Sequence, residues 1–199
     1  MTELTTLRAM AGLSLQPPSL AASTLILVDC QNTYTRGVME LEGVQAALDE
    51  AALLLDRARS AGIPVIHIQH DDGPGSLYDI NGESGAIVAR VAPRDGEPVV
   101  VKNYPNSFVQ TPLDERLKSA GAANLIIAGF MTHMCVNSTA RGAFNLGYAP
   151  TVVAGATATR SLPGVDGSAV AAATLQVATL AALTDLFAVV VPDSAAIPD

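Results

Sequence analysis

Short apolar runs alternate with stretches of helical spacing along most of the chain. The runs are continuously apolar and rich in branched side chains, a pattern typical of strands that are buried on both faces of a parallel sheet. We place strands at residues 24–29, 64–69, 98–102, 124–130, 151–154 and 186–191. The polar, glycine-rich stretch 70–85 is predicted to be a loop, and its length favours a role in function or in a partner interface.

Helical patterns fill the segments between these strands. Apolar residues recur at helical spacing over Val44–Ala61, and Gly62 follows as a C-cap. Further helices are predicted over residues 112–120, after Met134, and in the alanine-rich segment that begins at Ser168. Strands that alternate with helices predict an α/β fold: a doubly wound, six-stranded parallel sheet with helices on both faces, arranged as a three-layer sandwich.

The length and the pattern favour one domain. Residues 1–22 are predicted to be an N-terminal arm, because proline and serine in QPPSLAAS interrupt any periodic pattern. Residues 23–199 would then form a single domain that is large enough to bury a core. The segment from Ser168 superficially resembles a membrane span, but Gln176, Thr179 and Asp185 interrupt it, so we interpret it as a buried helix followed by a strand.

The chain is acidic, with 11 basic and 19 acidic residues and a net charge of -8. It offers no basic surface that would neutralise phosphates or anionic lipid, which argues against nucleic acid or a membrane as a partner. Two cysteines, Cys30 and Cys135, are too few for a disulfide framework, and the N-terminus lacks the basic and apolar regions of a secretory signal. We therefore expect a cytoplasmic location.

Three chemically reactive side chains lie at or just beyond the carboxyl ends of predicted strands: Asp29, Lys102 and Cys135. In doubly wound sheets, ligands bind beyond these ends, in the crevice where the strand order reverses. If the first, third and fourth strands are neighbours at the centre of the sheet, the three side chains face one cleft.

Together these side chains suit acyl transfer through a thiol. A thiol becomes a good nucleophile when it ionises, and its pKa falls at a helix start beside a cation such as Lys102. Asp29 would take the thiol proton and later return it to a leaving nitrogen. Backbone N–H groups near Met131 and Cys135 would stabilise an oxyanion, and water would then cleave the thioester.

Three segments resemble those of a known family: LILVDCQNTY, VVVKNYPNSF and, most specifically, GFMTHMCVNSTAR. They are similar to the catalytic segments of the isochorismatase-like cysteine hydrolases, which include nicotinamidases, N-carbamoylsarcosine amidase, and biuret and ureidoacrylate hydrolases. The resemblance covers about residues 24–191. It implies a six-stranded sheet, a homo-oligomer (dimer or tetramer), an oxyanion hole formed at a cis peptide bond between Phe130 and Met131, and a catalytic set of Asp29, Lys102 and Cys135.

Two features depart from patterns in this family. Gly155, in VVAGATAT, stands where many members carry an acidic residue, so a loop contact of the family is expected to be missing. Nicotinamidases show an aspartate and two histidines placed to hold a metal, whereas this chain has His67 and His70, three positions apart on a strand and thus on opposite faces. We predict neither a metal nor any other cofactor.

Loop residues beside the expected cleft are candidates for contact with a small amide or carbamoyl substrate, although such residues also support the walls of a site. The candidates are Gln31, Tyr34, His70, Tyr104, Phe108, Thr132 and His133. Thr132 has an alternative role in bonding the backbone before a helix, and His133 has one in packing. Cys30 lies outside any motif, and we interpret it as a packing residue.

The leading hypothesis is a cysteine-dependent hydrolase that cleaves an amide, carbamoyl or ureido C–N bond through a thioester acyl-enzyme. Vinyl-ether hydrolysis of isochorismate is an alternative, but it needs proton donation instead of a nucleophile, and members that catalyse it resemble this chain but lack the cysteine. A non-catalytic binding or redox-responsive module is the other alternative. A reactive thiol would serve both a sensor and a hydrolase, so substrate turnover has to separate them.

Overall fold

The computed structural model describes residues 4–199, and a six-stranded parallel sheet lies at its centre. The strands of this sheet are β1 (Ser23–Val28), β2 (Val65–His70), β3 (Val99–Lys102), β4 (Asn124–Phe130), β5 (Ala149–Ala158) and β8 (Val189–Val191), and a separate hairpin contains β6 (Leu162–Pro163) and β7 (Ala169–Val170). The α-helices are α1 (Leu7–Met10), α2 (Val44–Ala61), α3 (Leu113–Ser119), α4 (Asn137–Asn145) and α5 (Ala172–Asp185). The predicted fold class is confirmed.

The strand order of the sheet is β3-β2-β1-β4-β5-β8, and every neighbouring pair is parallel. From β1 the chain adds β2 and β3 outward on one side, and it then returns to place β4 on the other side of β1. The order therefore reverses between β1 and β4, where doubly wound sheets form a crevice. The expectation that the first, third and fourth strands are neighbours is wrong, because β2 lies between β1 and β3.

Alternate residues of the central strands face two separate hydrophobic clusters. In β1, Leu25 and Leu27 belong to the cluster that contains the apolar side of α2, whereas Ile26 and Val28 belong to the cluster formed with α3, α4 and α5. All four side chains are buried. Helices thus cover both faces of the sheet, which explains why the strands appear in the sequence as unbroken apolar runs.

Helix α2 covers its face of the sheet because its apolar residues recur every three or four positions. The buried ones are Val44, Ala47, Leu48, Ala51, Leu54, Leu55 and Ala58. The helix ends at Gly62, whose φ of 68° is a left-handed conformation that glycine adopts readily. The predicted bounds of this helix are confirmed.

Two elements at the C-terminal half differ from the expectations. β5 extends to Ala158, beyond the predicted end at 154, because it resumes pairing with β4 after an irregularity between Ile127 and Gly129. The alanine-rich helix begins at Ala172 instead of Ser168, since the preceding residues form the β6–β7 hairpin.

None of the helices formed by residues 4–199 combines the length and the apolar character that spanning a membrane requires.

The N-terminal segment packs against the end of α5. The backbone N–H of Leu7 donates to the carboxylate of Asp185 at 2.9 Å, and the guanidinium of Arg8 donates to the carbonyl of Leu186 at 3.0 Å. Strand β8, which follows this contact in the chain, begins at Val189 instead of the predicted residue 186. Residues 1–3 of the predicted arm lie outside the described residues.

Gly129 allows the ends of β1 and β4 to approach closely. Its φ is 113°, and a Cβ at this position would lie 2.0 Å from the carbonyl oxygen of Val28. Any larger residue would therefore push the two strands apart at their carboxyl ends. The residues that follow these two strands can meet because glycine occupies this position.

Candidate active site

Asp29 directly follows β1, at the position where the strand order reverses. The residue is completely buried, and its φ of 48° lies in the left-handed region that few residues other than glycine adopt. Its backbone N–H donates to the carbonyl of Ile68 at 3.0 Å, and its carbonyl accepts from the N–H of Gln31 at 2.7 Å. These bonds hold the sharp turn that ends the strand at the carboxylate.

Lys102, the last residue of the edge strand β3, reaches Asp29 across β2. Neighbouring strands lie about 4.8 Å apart, so two strand spacings separate β3 from β1. The lysine side chain spans this gap, and its Nζ lies 2.7 Å from Oδ2 of Asp29. Both side chains are 0% exposed, so this ion pair is fully buried.

Cys135 adds a thiol to this ion pair. It lies in a π-helical turn, Thr132–Val136, between β4 and α4. The peptide bond between Phe130 and Met131, just before the turn, is cis, as the resemblance implied. Nζ of Lys102 lies 3.4 Å from Sγ of Cys135, and the cysteine is 5% exposed. The structure thus brings together the three reactive side chains and almost closes them off from solvent.

Burial determines how the acid and the thiol ionise. It raises the pKa of Asp29 above its ordinary value, although the ammonium of Lys102 acts in the opposite direction. Burial and the negative charge of Asp29 together raise the pKa of Cys135, again against the effect of Lys102. The expectation of a lowered thiol pKa is therefore wrong, because removal from water outweighs the nearby cation and the helix start. The resting thiol keeps its proton.

The surroundings of the Asp29 carboxylate favour its uptake of a proton. Oδ2 forms an ion pair with the ammonium of Lys102, yet within residues 4–199 neither buried oxygen accepts a well-directed hydrogen bond. The thiol of Cys135 lies close enough to the carboxyl to lower its pKa. A buried carboxylate with unfilled acceptor sites is stabilised when it takes up a proton.

Gln31 and Tyr34 follow Asp29 in the chain and contact residues of the loop after β2. The amide of Gln31 donates to the carbonyls of His70 at 2.9 Å and Gly85 at 2.7 Å, and it accepts from the backbone N–H of His70 at 2.9 Å. Both of its donors are therefore used by the backbone, and a contact between this residue and substrate stays a prediction. Tyr34 is buried, and its ring meets Tyr78 edge to face with centroids 5.8 Å apart.

The aromatic candidates His70, Tyr104 and Phe108 have different surroundings. Nδ1 of His70 is 2.9 Å from Nζ of Lys102. Tyr104 is exposed in the segment after β3. Phe108 stacks on Tyr148, with centroids 5.9 Å apart, and packs against the cluster that contains α3 and α4. The stacking gives Phe108 a role in packing.

Thr132 and His133 begin the turn that carries the cysteine. The hydroxyl of Thr132 is completely buried and has no hydrogen-bond partner among residues 4–199, so the capping role considered for it is not observed. Nδ1 of His133 forms a hydrogen bond with the hydroxyl of Thr159. Burial and the positive charge of Arg160 lower the pKa of His133, which is consequently neutral at neutral pH. Thr132 therefore keeps a buried hydroxyl without a partner, among residues 4–199, in the same turn as Cys135.

Three residues near the site were missed by the sequence analysis. Asp72 lies 2.9 Å from Nε2 of His70, and the ring of Tyr78 meets His70 edge to face at 5.0 Å. Arg160 acts on His133 through its charge, and its buried Nε has no partner in the part of the chain that the structure describes. The length of the 70–85 loop pointed to Asp72 and Tyr78, and Arg160 is the second residue after the end of β5.

The two cysteines belong to different faces of the sheet. Cys30 packs in the cluster that contains α2, whereas Cys135 packs in the cluster that contains α4. Both thiols are free and buried. The interpretation of Cys30 as a packing residue is confirmed.

His67 and His70 serve separate groups of side chains. Nε2 of His67 lies 3.0 Å from Oε2 of Glu97, which Arg59 also binds, whereas His70 contacts Lys102. Among residues 4–199, no group of three or more His, Cys, Asp or Glu side chains is placed to hold a metal ion.

Gly155 permits a close contact between β5 and the segment after β8. Its backbone N–H donates to the carbonyl of Pro192 at 2.8 Å, and a Cβ at this position would lie 2.9 Å from the same oxygen. An acidic side chain would force the two segments apart. The glycine therefore fits this close backbone contact.

Comparisons with known proteins agree with this architecture. Residues 23–191 match the isochorismatase domain family. The chain is 32% identical over 192 residues to a secreted isochorismatase effector, Isc1, of Verticillium dahliae, with 94% of this chain and 97% of the relative covered. It is 31% identical over 180 residues to the ureidoacrylate amidohydrolase RutB of Stutzerimonas stutzeri, with 71% and 73% covered. The crystal structure of an isochorismatase from Pseudomonas putida KT2440 superposes with a TM-score of 0.94 at 37% identity, covering 98% of this chain and 100% of the other.

The ionisation of the site predicts an unusual effect of Asp29→Asn on thiol reactivity. Because the carboxylate raises the pKa of Cys135, its removal should lower that pKa and increase the rate of Cys135 alkylation by iodoacetamide at pH 7. Each unit of decrease raises the thiolate fraction about tenfold. Peptide mass spectrometry measures the rate at Cys135 separately from Cys30. Lys102→Met should act in the opposite direction, and slower alkylation of Asp29→Asn would contradict this account of the charges.

Proposed function

Since the chain belongs to the isochorismatase family of hydrolases, we propose that it cleaves an amide, carbamoyl or ureido C–N bond of a small molecule through a thioester on Cys135. The observation that carries this proposal is the buried contact of a thiol, a carboxylate and an ammonium in one cluster. The name of the RutB relative, a ureidoacrylate amidohydrolase, supports a ureido or related bond as the target.

Asp29 acts as the base of the acylation step. As Sγ of Cys135 attacks the carbonyl carbon, the carboxylate takes the thiol proton, a C–S bond forms and the carbonyl oxygen becomes an oxyanion. A raised pKa makes Asp29 a stronger base than an ordinary carboxylate, which suits proton transfer from a thiol. Lys102 stabilises the negative charge that develops on sulfur 3.4 Å away.

The same acid then releases the leaving group. Protonated Asp29 donates its proton to the leaving nitrogen as the C–N bond breaks, which leaves a thioester on Cys135. In the second half-reaction Asp29 accepts a proton from a water molecule as the water attacks the thioester. The C–S bond breaks, the sulfur regains a proton, and the acid product leaves. The backbone N–H groups of Met131 and Cys135 serve as the oxyanion hole in both halves.

The surroundings of the thiol favour a small, polar substrate. The sulfur is almost closed off, which excludes large polymers. In the turn that contains Cys135, the buried hydroxyl of Thr132 has no partner among the described residues, and the buried Nε of Arg160, whose charge acts on His133 of the same turn, has none either. Unsatisfied polar groups of this kind gain most from a ligand that brings matching oxygen or nitrogen atoms.

Hydrolysis of isochorismate is the second candidate, because two of the similar proteins are named as isochorismatases. That reaction needs a proton donor and no nucleophile. A chain that used it would keep its activity without the sulfur, so the Cys135→Ala variant separates the two reactions.

A redox-sensing role fits the site less well. Sensor thiols are low in pKa and accessible to solvent. Burial instead raises the pKa of Cys135, whose exposed fraction is 5%.

Assembly into a homo-oligomer and a cytoplasmic location stay predictions, which light scattering and cell fractionation can test.

A panel of small amides, carbamoyl compounds and ureides tests the proposed reaction through ammonia release. At least one member should be hydrolysed, and Cys135→Ala should lower kcat by more than about a thousandfold, since the residual rate would come from binding alone. Rapid acid quenching should trap an acyl adduct on Cys135 by mass spectrometry. Cys30→Ala is the matched control and should keep its activity. An active Cys135→Ala protein would refute the thioester mechanism.

The raised pKa of Asp29 predicts the acid side of the pH–rate profile. Asp29 must be ionised to accept the thiol proton, so kcat/KM should fall as pH drops through its raised pKa. The midpoint should lie above the ordinary aspartate value of about 3.9. Because Lys102 acts to lower this pKa, the residual activity of Lys102→Met should show its acid limb at higher pH. Circular dichroism across the same range checks that the protein stays folded, and a midpoint at or below the ordinary value would contradict this assignment.

A further inference from the structure

The ammonium of Lys102 has three N–H bonds and three acceptors within reach. Oδ2 of Asp29 lies at 2.7 Å, Sγ of Cys135 at 3.4 Å and Nδ1 of His70 at 2.9 Å. The lysine side chain is 0% exposed, so solvent does not reach it. Among the described residues, His70 therefore supplies the third acceptor of the buried ammonium, beside Asp29 and Cys135.

The hydrogen bonds of His70 define one tautomer of its ring. Nδ1 accepts from the ammonium of Lys102 only when it carries no proton, which places the ring proton on Nε2. Nε2 lies 2.9 Å from Oδ1 of Asp72, an acceptor that matches this proton. The ring also meets Tyr78 edge to face at 5.0 Å. Both nitrogens are thus occupied, and the imidazole is held from three directions.

The backbone of His70 is fixed as firmly as its ring. Its N–H and its carbonyl both bond the amide of Gln31, at 2.9 Å each. In the sheet, His70 is the register partner of Lys102 on the adjoining strand. A histidine that is held at the ring and at the backbone beside the lysine provides a rigid acceptor for a side chain with four rotatable bonds.

We propose that His70 is a positioning residue that fixes the ammonium of Lys102 between Asp29 and Cys135, and that Asp72 holds His70 in the tautomer this requires. The inference deepens the proposed function, on which its turnover measurements rest. Without the third acceptor, the ammonium turns away from the sulfur, and the charge that develops on Cys135 loses its nearest cation. His70 acts through Lys102 and not through a contact with the substrate.

His70→Asn and His70→Gln form a matched pair that tests this assignment. The amide oxygen of Asn can occupy the place of Nδ1, whereas that of Gln extends to the place of Nε2. We expect His70→Gln to slow Cys135 alkylation by iodoacetamide about ten- to hundredfold, the effect of losing a hydrogen bond to a charged group. Asn should stay within about threefold of the natural protein. In turnover, Gln should lower kcat and leave KM unchanged.

Two further variants control for general disturbance of the loop. Gln69 precedes His70 on β2 and bonds the carbonyl of Gly85 at 2.8 Å, without a contact to the lysine. Gln69→Ala should leave the alkylation rate unchanged, and Asp72→Ala should slow it less than His70→Gln does. Circular dichroism and thermal melting confirm that each variant is folded.

Alkylation of Cys135 needs no substrate, so it separates failure of this inference from failure of the proposed function. If His70→Gln alkylates as fast as the natural protein, or if its KM rises while kcat is kept, His70 does not position the lysine. If the alkylation pattern holds and no C–N substrate is turned over by the natural protein, the positioning role stands and the proposed reaction fails.

Discussion

The buried ion pair between Lys102 and Asp29 is the interaction on which the rest of the site depends. Neither side chain has contact with solvent, and each tolerates burial because the opposite charge lies 2.7 Å away. Removing one partner of such a pair typically costs about 3–5 kcal/mol, because a lone charge then stays in the interior. The same burial raises the pKa of the carboxyl and of the neighbouring thiol. The site is thus almost closed to solvent, with the proton on the sulfur of Cys135 and the carboxylate of Asp29 nearby to accept it.

The sheet topology places these charges in one spot. The strand order reverses between β1 and β4, so Asp29 and the turn with Cys135 arise at adjoining strand ends. Lys102 comes from the edge of the sheet, two strands from Asp29, and its long side chain passes the end of β2. His70 is the last residue of β2, and its Nδ1 contacts the ammonium of this lysine. Strand β2, which lies between the strands that carry Lys102 and Asp29, therefore also supplies His70, the residue that positions the lysine.

The sequence was sufficient to predict the six strands of the parallel sheet, although not the ends of β5 and β8, and to predict helix α2. It also predicted the meeting of Asp29, Lys102 and Cys135, because the carboxyl ends of parallel strands lie at one edge of a sheet. Strand order could not be obtained this way, since apolar runs indicate burial but not neighbours. The raised pKa of Cys135 could not be predicted from the sequence either, because it depends on how completely the fold excludes water from the thiol. The contact between His70 and Lys102 follows from the register of β2 and β3, which hydrophobic patterns leave undefined.

A double-mutant cycle of Asp29→Asn and Lys102→Met measures the central ion pair directly through free energies of unfolding in urea. The account predicts strong coupling: the double variant should lose at least about 2 kcal/mol less than the sum of the two single losses, because removing both charges leaves none unpaired. Losses that add to within about 0.5 kcal/mol would show that the two charges do not depend on each other. In that case the closed thiol, carboxylate and ammonium cluster could not be the basis of this site.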